Sequence, residues 1–324
     1  MENFFKNYRV LICLFTAVLL SLFSACSNDS DYKKVDFSKS GKSVSKIVRN
    51  EALPELRMAV AAMISPGETL ARYKELMDYI GKKAGYHILL IQRKTYGEIN
   101  ALFQKQQIDL AMICSGPYAN GQDSLNIQAL AVPLVQGKPY YRSYLIVNRK
   151  SKINTLENLR GKVFAFTDPK SNTGTLVPRY WLALKGETPK TFFKETIYTY
   201  SHDNSIIAVA RSLVDGAAVD SHIWEYYHRK NPEYTDKTRI IKKSIPFGSP
   251  PFVASLSLPL VLRKKIRHIL LSMNSDPDGR QIQNSLLIDK FVLPRDSWYQ
   301  PIITMKQEVE RFKKQKTIKK AENK

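Results

Sequence analysis

From residue 56 onward the chain alternates short apolar runs with amphipathic segments, and this order constrains the fold more than any single motif. Residues 56–63 form an apolar run that closes on Ser65-Pro66-Gly67; Leu70, Tyr73, Leu76, Met77 and Ile80 then recur at helical spacing until Gly81 and Gly85. Ile88-Leu89-Leu90-Ile91 reads as a second strand, Ile99, Leu102 and Phe103 mark a second helix, and residues 108–114 a third, buried strand. An order βαβαβ with apolar strands predicts a parallel sheet covered on both faces. Ligands of such sheets sit beyond the carboxyl ends of the strands.

A second unit of the same kind begins after Tyr144-Leu145-Ile146-Val147. It has strands over 162–167, 196–200 and 216–219, and helices over 176–184 and 206–213. Two similar units imply two lobes. Residues 239–256 are extended, with Pro246 and Pro250-Pro251, and the remainder is helical over 261–273 and 297–312. Those helices need an apolar surface, which the first lobe supplies. The chain would then cross between lobes twice, near Val147 and near Ser244, as a hinge does. The division is a signal segment 1–25, a tether 26–53, the first part of lobe 1 over 54–147, lobe 2 over 148–243, the rest of lobe 1 over 244–312, and a basic tail 313–324.

The N-terminal segment stands apart from the fold. Lys6 and Arg9 precede an apolar run over 10–23, short for a membrane span, which closes on Phe23-Ser24-Ala25-Cys26. Small residues before a cysteine resemble the lipobox of bacterial lipoproteins, in which Cys26 becomes the acylated N-terminus. Residues 27–50, rich in Ser, Lys and Asp, cannot bury enough apolar surface to offset chain entropy. Of three cysteines only Cys114 belongs to the body, so no internal disulfide is available. The formal charge of +21 favours anionic partners in general, but no nucleic-acid recognition motif accompanies it.

One segment carries the chemistry of an anion site. Asp168-Pro169 ends a strand, and Ser171, Asn172 and Thr173 lead into the following helix, so hydroxyls and unpaired backbone N–H groups meet at a helix N-terminus. The same pattern also makes a plain N-cap.

Several runs in order carry a family resemblance: Ile108-Asp109-Leu110-Ala111 with Ser115-Gly116-Pro117-Tyr118; Tyr141-Arg142-Ser143-Tyr144; Phe166-Thr167-Asp168-Pro169; Ser171-Asn172-Thr173-Gly174; Ser201-His202-Asp203; Val214-Asp215-Gly216-Ala217-Ala218-Val219-Asp220-Ser221; and Phe247-Gly248-Ser249-Pro250-Pro251. Over about residues 56–305 the chain resembles the phosphate, phosphite and phosphonate binding proteins of ABC transporters, which are type II periplasmic binding proteins. The resemblance implies an α/β fold of two lobes with a hinge and an interlobe cleft, and a role in capturing a small phosphorus oxyanion for an ABC permease. It implies no cofactor and no enzymatic activity. The protein would be a monomer on the extracytoplasmic face, held to a membrane through Cys26.

The resemblance also assigns ligand contacts. Ser171, Asn172 and Thr173 would form the cradle, with Asn172 exchanging a hydroxyl for an amide where relatives have Ser-Thr-Ser-Gly. His202 would donate from its ring. Asp220 would accept from the P–OH of a monoanion and so select against sulfate, although an Asp here also caps a helix. His222 stands where relatives place an acidic residue. Ser115 and Tyr118 would close over the ligand from the first lobe, with Tyr141 a lesser contact; Tyr96 reads as packing.

Competing readings leave fewer traces. There is no His-Glu-x-x-His run, no Gly-x-Ser-x-Gly elbow and no dinucleotide glycine pattern, and the five His residues lack metal-site spacing. Tyr226-Tyr227 near His222 raises a ferric-ion binder of the same fold as an alternative. A third reading is a ligand-sensing accessory that docks on a membrane sensor.

Overall fold

A computed structural model of the chain describes residues 53–322. The signal segment, Cys26, and the tether up to residue 52 lie outside the described residues. Strand β1 (Glu55–Val60) leads to α1 (Pro66–Ala84), which begins at a proline whose missing N–H is no loss in the first turn and stops at Gly85, in the left-handed region at φ 83°. β2 (His87–Ile91) precedes α2 (Tyr96–Gln104), opened by a capping box between Thr95 and Glu98. Next come β3 (Leu110–Met112), α3 (Ser115–Leu125), β4 (Ile127–Leu134), β5 (Tyr140–Tyr141) and β6 (Ser143–Asn148). β7 (Val163–Phe166), a π-helical turn at Asn172–Leu176, α4 (Val177–Ala183), α5 (Pro189–Phe192) and β8 (Glu195–Tyr198) follow. Then α6 (His202–Ala210), β9 (Gly216–Asp220), α7 (Ser221–Lys230), β10 (Thr238–Lys243), β11 (Phe247–Gly248) and β12 (Phe252–Ser255) lead to α8 (Leu260–Ser272), α9 (Pro277–Ser285), β13 (Lys290–Val292) and α10 (Gln300–Glu322).

The strands form two large sheets. The first lobe has the order β13-β4-β12-β3-β1-β2, and the second β10-β6-β9-β7-β8. The parallel arrangement expected of the first unit holds for β2, β1 and β3, while the returning β12 inserts antiparallel between β3 and β4. Met58, Leu110 and Met112 join one apolar cluster and Ala59, Ala111 and Ile113 another, the period-two alternation of a sheet covered on both faces.

Two details correct the reading from sequence. β6 belongs to the second sheet, where Val147 pairs with Gly216 and Arg239, so the first crossing lies at β5 and Arg142 rather than at Val147. An apolar run suits either sheet; its hydrogen-bonding partners decide. The return crossing runs beside it, with β11 antiparallel to β5 and the Ser143 N–H donating to Ser244 Oγ at 2.9 Å. Second, the tail expected from residue 313 continues α10 through Glu322, because Lys, Gln, Glu and Ala are good helix formers whatever their charge. Lys316 Nζ donates to the Gly186 carbonyl at 3.2 Å. Through buried Ile302, Met305 and Val309 this helix sits on α3 of the first lobe and also on α4 of the second, not on the first lobe alone.

Candidate functional site

The carboxyl ends of β7 and β9 carry the second-lobe wall. After β7 the chain turns at Asp168, and Ser171 Oγ accepts the Gly174 N–H at 3.0 Å, starting the π-helical turn. A Cβ at Gly174 would lie 2.3 Å from Thr167 Oγ1, so only glycine lets the turn seat against the strand end. Thr175 Oγ1 donates to the Asp168 carbonyl at 2.7 Å, and Ser143 Oγ to the Thr173 carbonyl at 2.7 Å. These bonds fix the backbone of the turn and leave the Thr173 hydroxyl buried with no hydrogen-bond partner among the described residues. Asn172 donates its Nδ2 to the Tyr141 hydroxyl at 3.1 Å, and its Oδ1 is likewise buried without a partner.

His202 opens α6 at full burial. Its Nδ1 accepts the Asp220 backbone N–H at 3.1 Å, which places the ring proton on Nε2. Burial pushes the imidazole down to about 3, so the ring is neutral at physiological pH and Nε2 is a fixed donor. That atom is buried and has no partner among the described residues. Asp220 caps α7, its Oδ1 accepting the N–H groups of His222 at 2.7 Å and Ile223 at 3.3 Å.

The first-lobe wall is assembled from separate parts of the chain. Tyr96 is 1% exposed and its hydroxyl has no partner among the described residues. Burial, reinforced by the charges of Asp168 and Asp220, holds the phenol well above its ordinary range, so it is a neutral donor. Burial likewise keeps Tyr141 protonated and pushes the neighbouring Cys114 thiol up to about 11. Ser249 Oγ is a further buried atom without a partner among the described residues. Ser115 Oγ donates to the Gly248 carbonyl at 2.6 Å, while Tyr118 packs edge-on against Tyr299 with ring centroids 4.6 Å apart.

The two walls touch. The Tyr96 N–H donates to Asp168 Oδ2 at 3.0 Å, the His202 N–H to the Met63 carbonyl at 2.9 Å, and the Ser65 N–H to the Asp203 carboxylate at 3.1 Å. The lobes are therefore closed on each other. The two walls carry four buried neutral donors without partners among the described residues, on Tyr96, Thr173, His202 and Ser249, one such acceptor on Asn172, and the buried carboxylates of Asp168 and Asp220. None of the five unpartnered groups is a cation. Leaving such groups buried and unpaired costs about 1–3 kcal/mol each, so the arrangement is built to meet a compact polar group with both acceptors and a donor.

Of the residues named from sequence, Asn172, Thr173 and His202 present unpartnered atoms, Ser171 and Asp220 act as caps, Tyr141 stands behind Asn172, and Ser115 and Tyr118 are engaged within the first lobe. Tyr96, read as packing, and Ser249, quoted only within a run, join the unpartnered set. A signal for Tyr96 existed: the Thr95-x-x-Glu98 capping box fixes it at a helix start, beyond a strand's carboxyl end. Among the described residues no group of three His, Cys, Asp or Glu side chains could hold a metal, and the ferric alternative gains no support. No helix among them is long and apolar enough to cross a membrane.

Comparison with known proteins places this geometry in a context. A family model described as "ABC transporter, phosphonate, periplasmic substrate-binding protein" matches residues 58–299. The chain is 27% identical over 210 residues to the phosphonates-binding periplasmic protein of Escherichia coli, an alignment covering 63% of this chain and 62% of that one. It is 26% identical over 187 residues to a phosphate-import protein of Mycolicibacterium smegmatis, covering 53% and 58%. The chain thus spans less than two thirds of the length of these curated relatives. A binding-protein component of an ABC phosphonate transporter from Pseudomonas aeruginosa superposes with a TM-score of 0.76 at 23% identity, over 81% of this chain and 88% of that one. A Prochlorococcus marinus protein in complex with methylphosphonate gives 0.71 at 18%, over 79% and 98%. These likenesses establish the fold as that of a type II periplasmic binding protein.

Proposed function

The chain belongs to the family of periplasmic substrate-binding proteins of phosphonate ABC transporters, and from that premise we propose that it captures a small phosphorus oxyanion between its lobes and presents the closed form to a membrane permease. The observation that carries this reading is the neutral Nε2–H of His202, buried, fixed by the Asp220 N–H and without a partner among the described residues, as are buried polar atoms of Thr173, Tyr96 and Asn172. Neutral donors beside buried carboxylates suit a monoanion that also carries a P–OH, since the acceptors then gain a partner instead of repelling the ligand. Sulfate, with no proton near neutral pH, offers nothing to Asn172 Oδ1 and meets the Asp220 carboxylate only as a like charge. One chain encloses such a ligand, so the protein acts as a monomer and binds without turnover.

The test is calorimetric titration of the protein with phosphite, methylphosphonate, phosphate and sulfate, paired with small-angle scattering. At least one phosphorus anion binds, compacts the molecule, and is preferred over sulfate. Heat with none of the phosphorus anions, or sulfate bound as tightly as the best of them, would overturn the reading. Its extracytoplasmic place rests further on the leader and on Cys26, proposed as a lipid anchor whose buried methylenes contribute about 0.8 kcal/mol each. Cys26→Ser then moves the protein from the membrane fraction to the soluble one; quantitative sedimentation of the variant with membranes and an unchanged mass would exclude the anchor.

A further inference from the structure

A second concavity, of about 370 Å³, opens outside the interlobe cluster. Its walls come from three parts of the fold: Asn100 and Asn120 on α2 and α3 of the first lobe, Lys170 and Arg179 of the second, and Lys306 and Lys313 on α10. None of the residues bearing the five unpartnered atoms lines it. Four cationic side chains face one carboxylate, Glu310, which lies 4.0 Å from Lys306 on the same helix. Arg179 gives one guanidinium nitrogen to the Tyr198 hydroxyl at 2.7 Å, while its Nε is buried with no partner among the described residues. Partial burial and the nearby Arg179 push the Lys313 ammonium below its ordinary value, the direction expected when like charges gather without enough counter-charge. Lys170 reaches across the lobe boundary, and a Cβ at Gly97 would come within 3.6 Å of its Cε.

We propose that this cavity is a second anion site, for a soluble condensed phosphate of the di- or triphosphate class, whose occupant bridges both lobes and α10 and so favours the closed form. The excess of three positive charges and the volume exceed what one phosphoryl group needs, and a planar guanidinium beside ammonium groups matches linked phosphates. Walls drawn from both lobes meet only on closure, so the occupant binds the closed state better and shifts the population toward it. By linkage it raises affinity for the cleft ligand by the factor with which that ligand raises its own. The coupling, though not the site, rests on the two-lobe capture proposed above.

Inorganic tripolyphosphate is the probe, titrated into the full chain and into Lys306→Gln/Lys313→Gln at one salt concentration. It binds the wild type, loses about tenfold or more in affinity in the double variant, and raises wild-type methylphosphonate affinity about fivefold. The variant keeps the basal methylphosphonate affinity and shows no enhancement. Competition between the two anions, or equal tripolyphosphate affinity in both proteins, overturns the proposal. If none of methylphosphonate, phosphite and phosphate gives heat with either protein, the cleft reading fails, and the tripolyphosphate titrations still decide the cavity.

Discussion

The two walls of the interlobe region are built in different ways. In the second lobe each polar group is set by bonds within that lobe: the Ser171 cap, the π-helical turn and the Ser143 hydroxyl hold Thr173, and the helix start at Ser201 with the Asp220 N–H holds His202. In the first lobe Tyr96 and Ser249 come from distant parts of the chain, and the segment after Ser249 returns to this lobe because β12 inserts beside β3. The second wall is thus preorganised whether or not the lobes are closed, whereas the first completes it on closure. Substitutions on the second wall should therefore cost more affinity than matched ones on the first.

The largest effect is expected at His202. His202→Leu removes the fixed Nε2–H donor, and its loss should weaken the bound phosphorus anion by one to two orders of magnitude, from about 1.5–3 kcal/mol for a hydrogen bond to a charged group. The same residue makes a pH prediction. Its folded value of about 3 lies below the unfolded value near 6.5, so the stability it contributes is present above pH 6.5 and is lost as pH falls toward 3. The slope is about 1.4 kcal/mol per pH unit at most, read as a fall in urea midpoint between pH 7 and pH 5 that flattens in His202→Leu. An unchanged affinity in this variant, with a larger loss in Tyr96→Phe, would break the contrast between the walls.

Asp220→Asn sharpens the contrast within the second wall. An asparagine can still accept the His222 N–H as an N-cap, so the fold should keep its stability while the carboxylate is lost. The phosphorus anion weakens by about tenfold, and sulfate gains, because an amide can donate where the carboxylate only repels. Titration of both anions at one pH and salt concentration checks this; unchanged phosphorus-anion affinity places Asp220 outside the ligand's reach, as a cap alone.

How much of this was legible in the sequence follows the same division. The alternating strands and helices announced two α/β lobes, since periodicity is local and the burial of parallel strands shows in their composition. The caps at Ser171 and Asp220 were legible because cap residues carry their own backbone chemistry, while Thr173 and His202 were named as ligand contacts through the resemblance, and that contact stays a proposal. The assignment of β6 was not, because residues 144–147 are apolar enough for either sheet and only pairing with Gly216 and Arg239 decides. Nor was the continuation of α10, where charge read as a tail outweighed the helix propensity of the same lysines. The sequence placed Tyr118 ahead of Tyr96, whereas the buried hydroxyl without a partner among the described residues is that of Tyr96, a property of tertiary contacts that local pattern does not carry.

That reversal supplies the finest test. Tyr118 and Tyr96 are both buried first-lobe phenols, 3% and 1% exposed, so Phe substitution removes one oxygen from each with little change in volume. Tyr118 keeps its edge-on contact with Tyr299 as phenylalanine, and that contact belongs to the ring. Tyr96 would lose a donor that has no partner among the described residues, and a neutral hydrogen bond of about 0.5–1.5 kcal/mol is worth roughly two- to tenfold in affinity. Tyr96→Phe should thus weaken methylphosphonate or phosphite by several fold, and Tyr118→Phe by less than about twofold. Because relief of an unpaired buried hydroxyl favours the ligand-free fold, Tyr96→Phe should also leave the thermal midpoint without ligand unchanged or raised, while reducing the rise on adding ligand. A larger affinity loss in Tyr118→Phe would return the first-lobe contact to α3, and with it the sequence-based ranking of the two tyrosines.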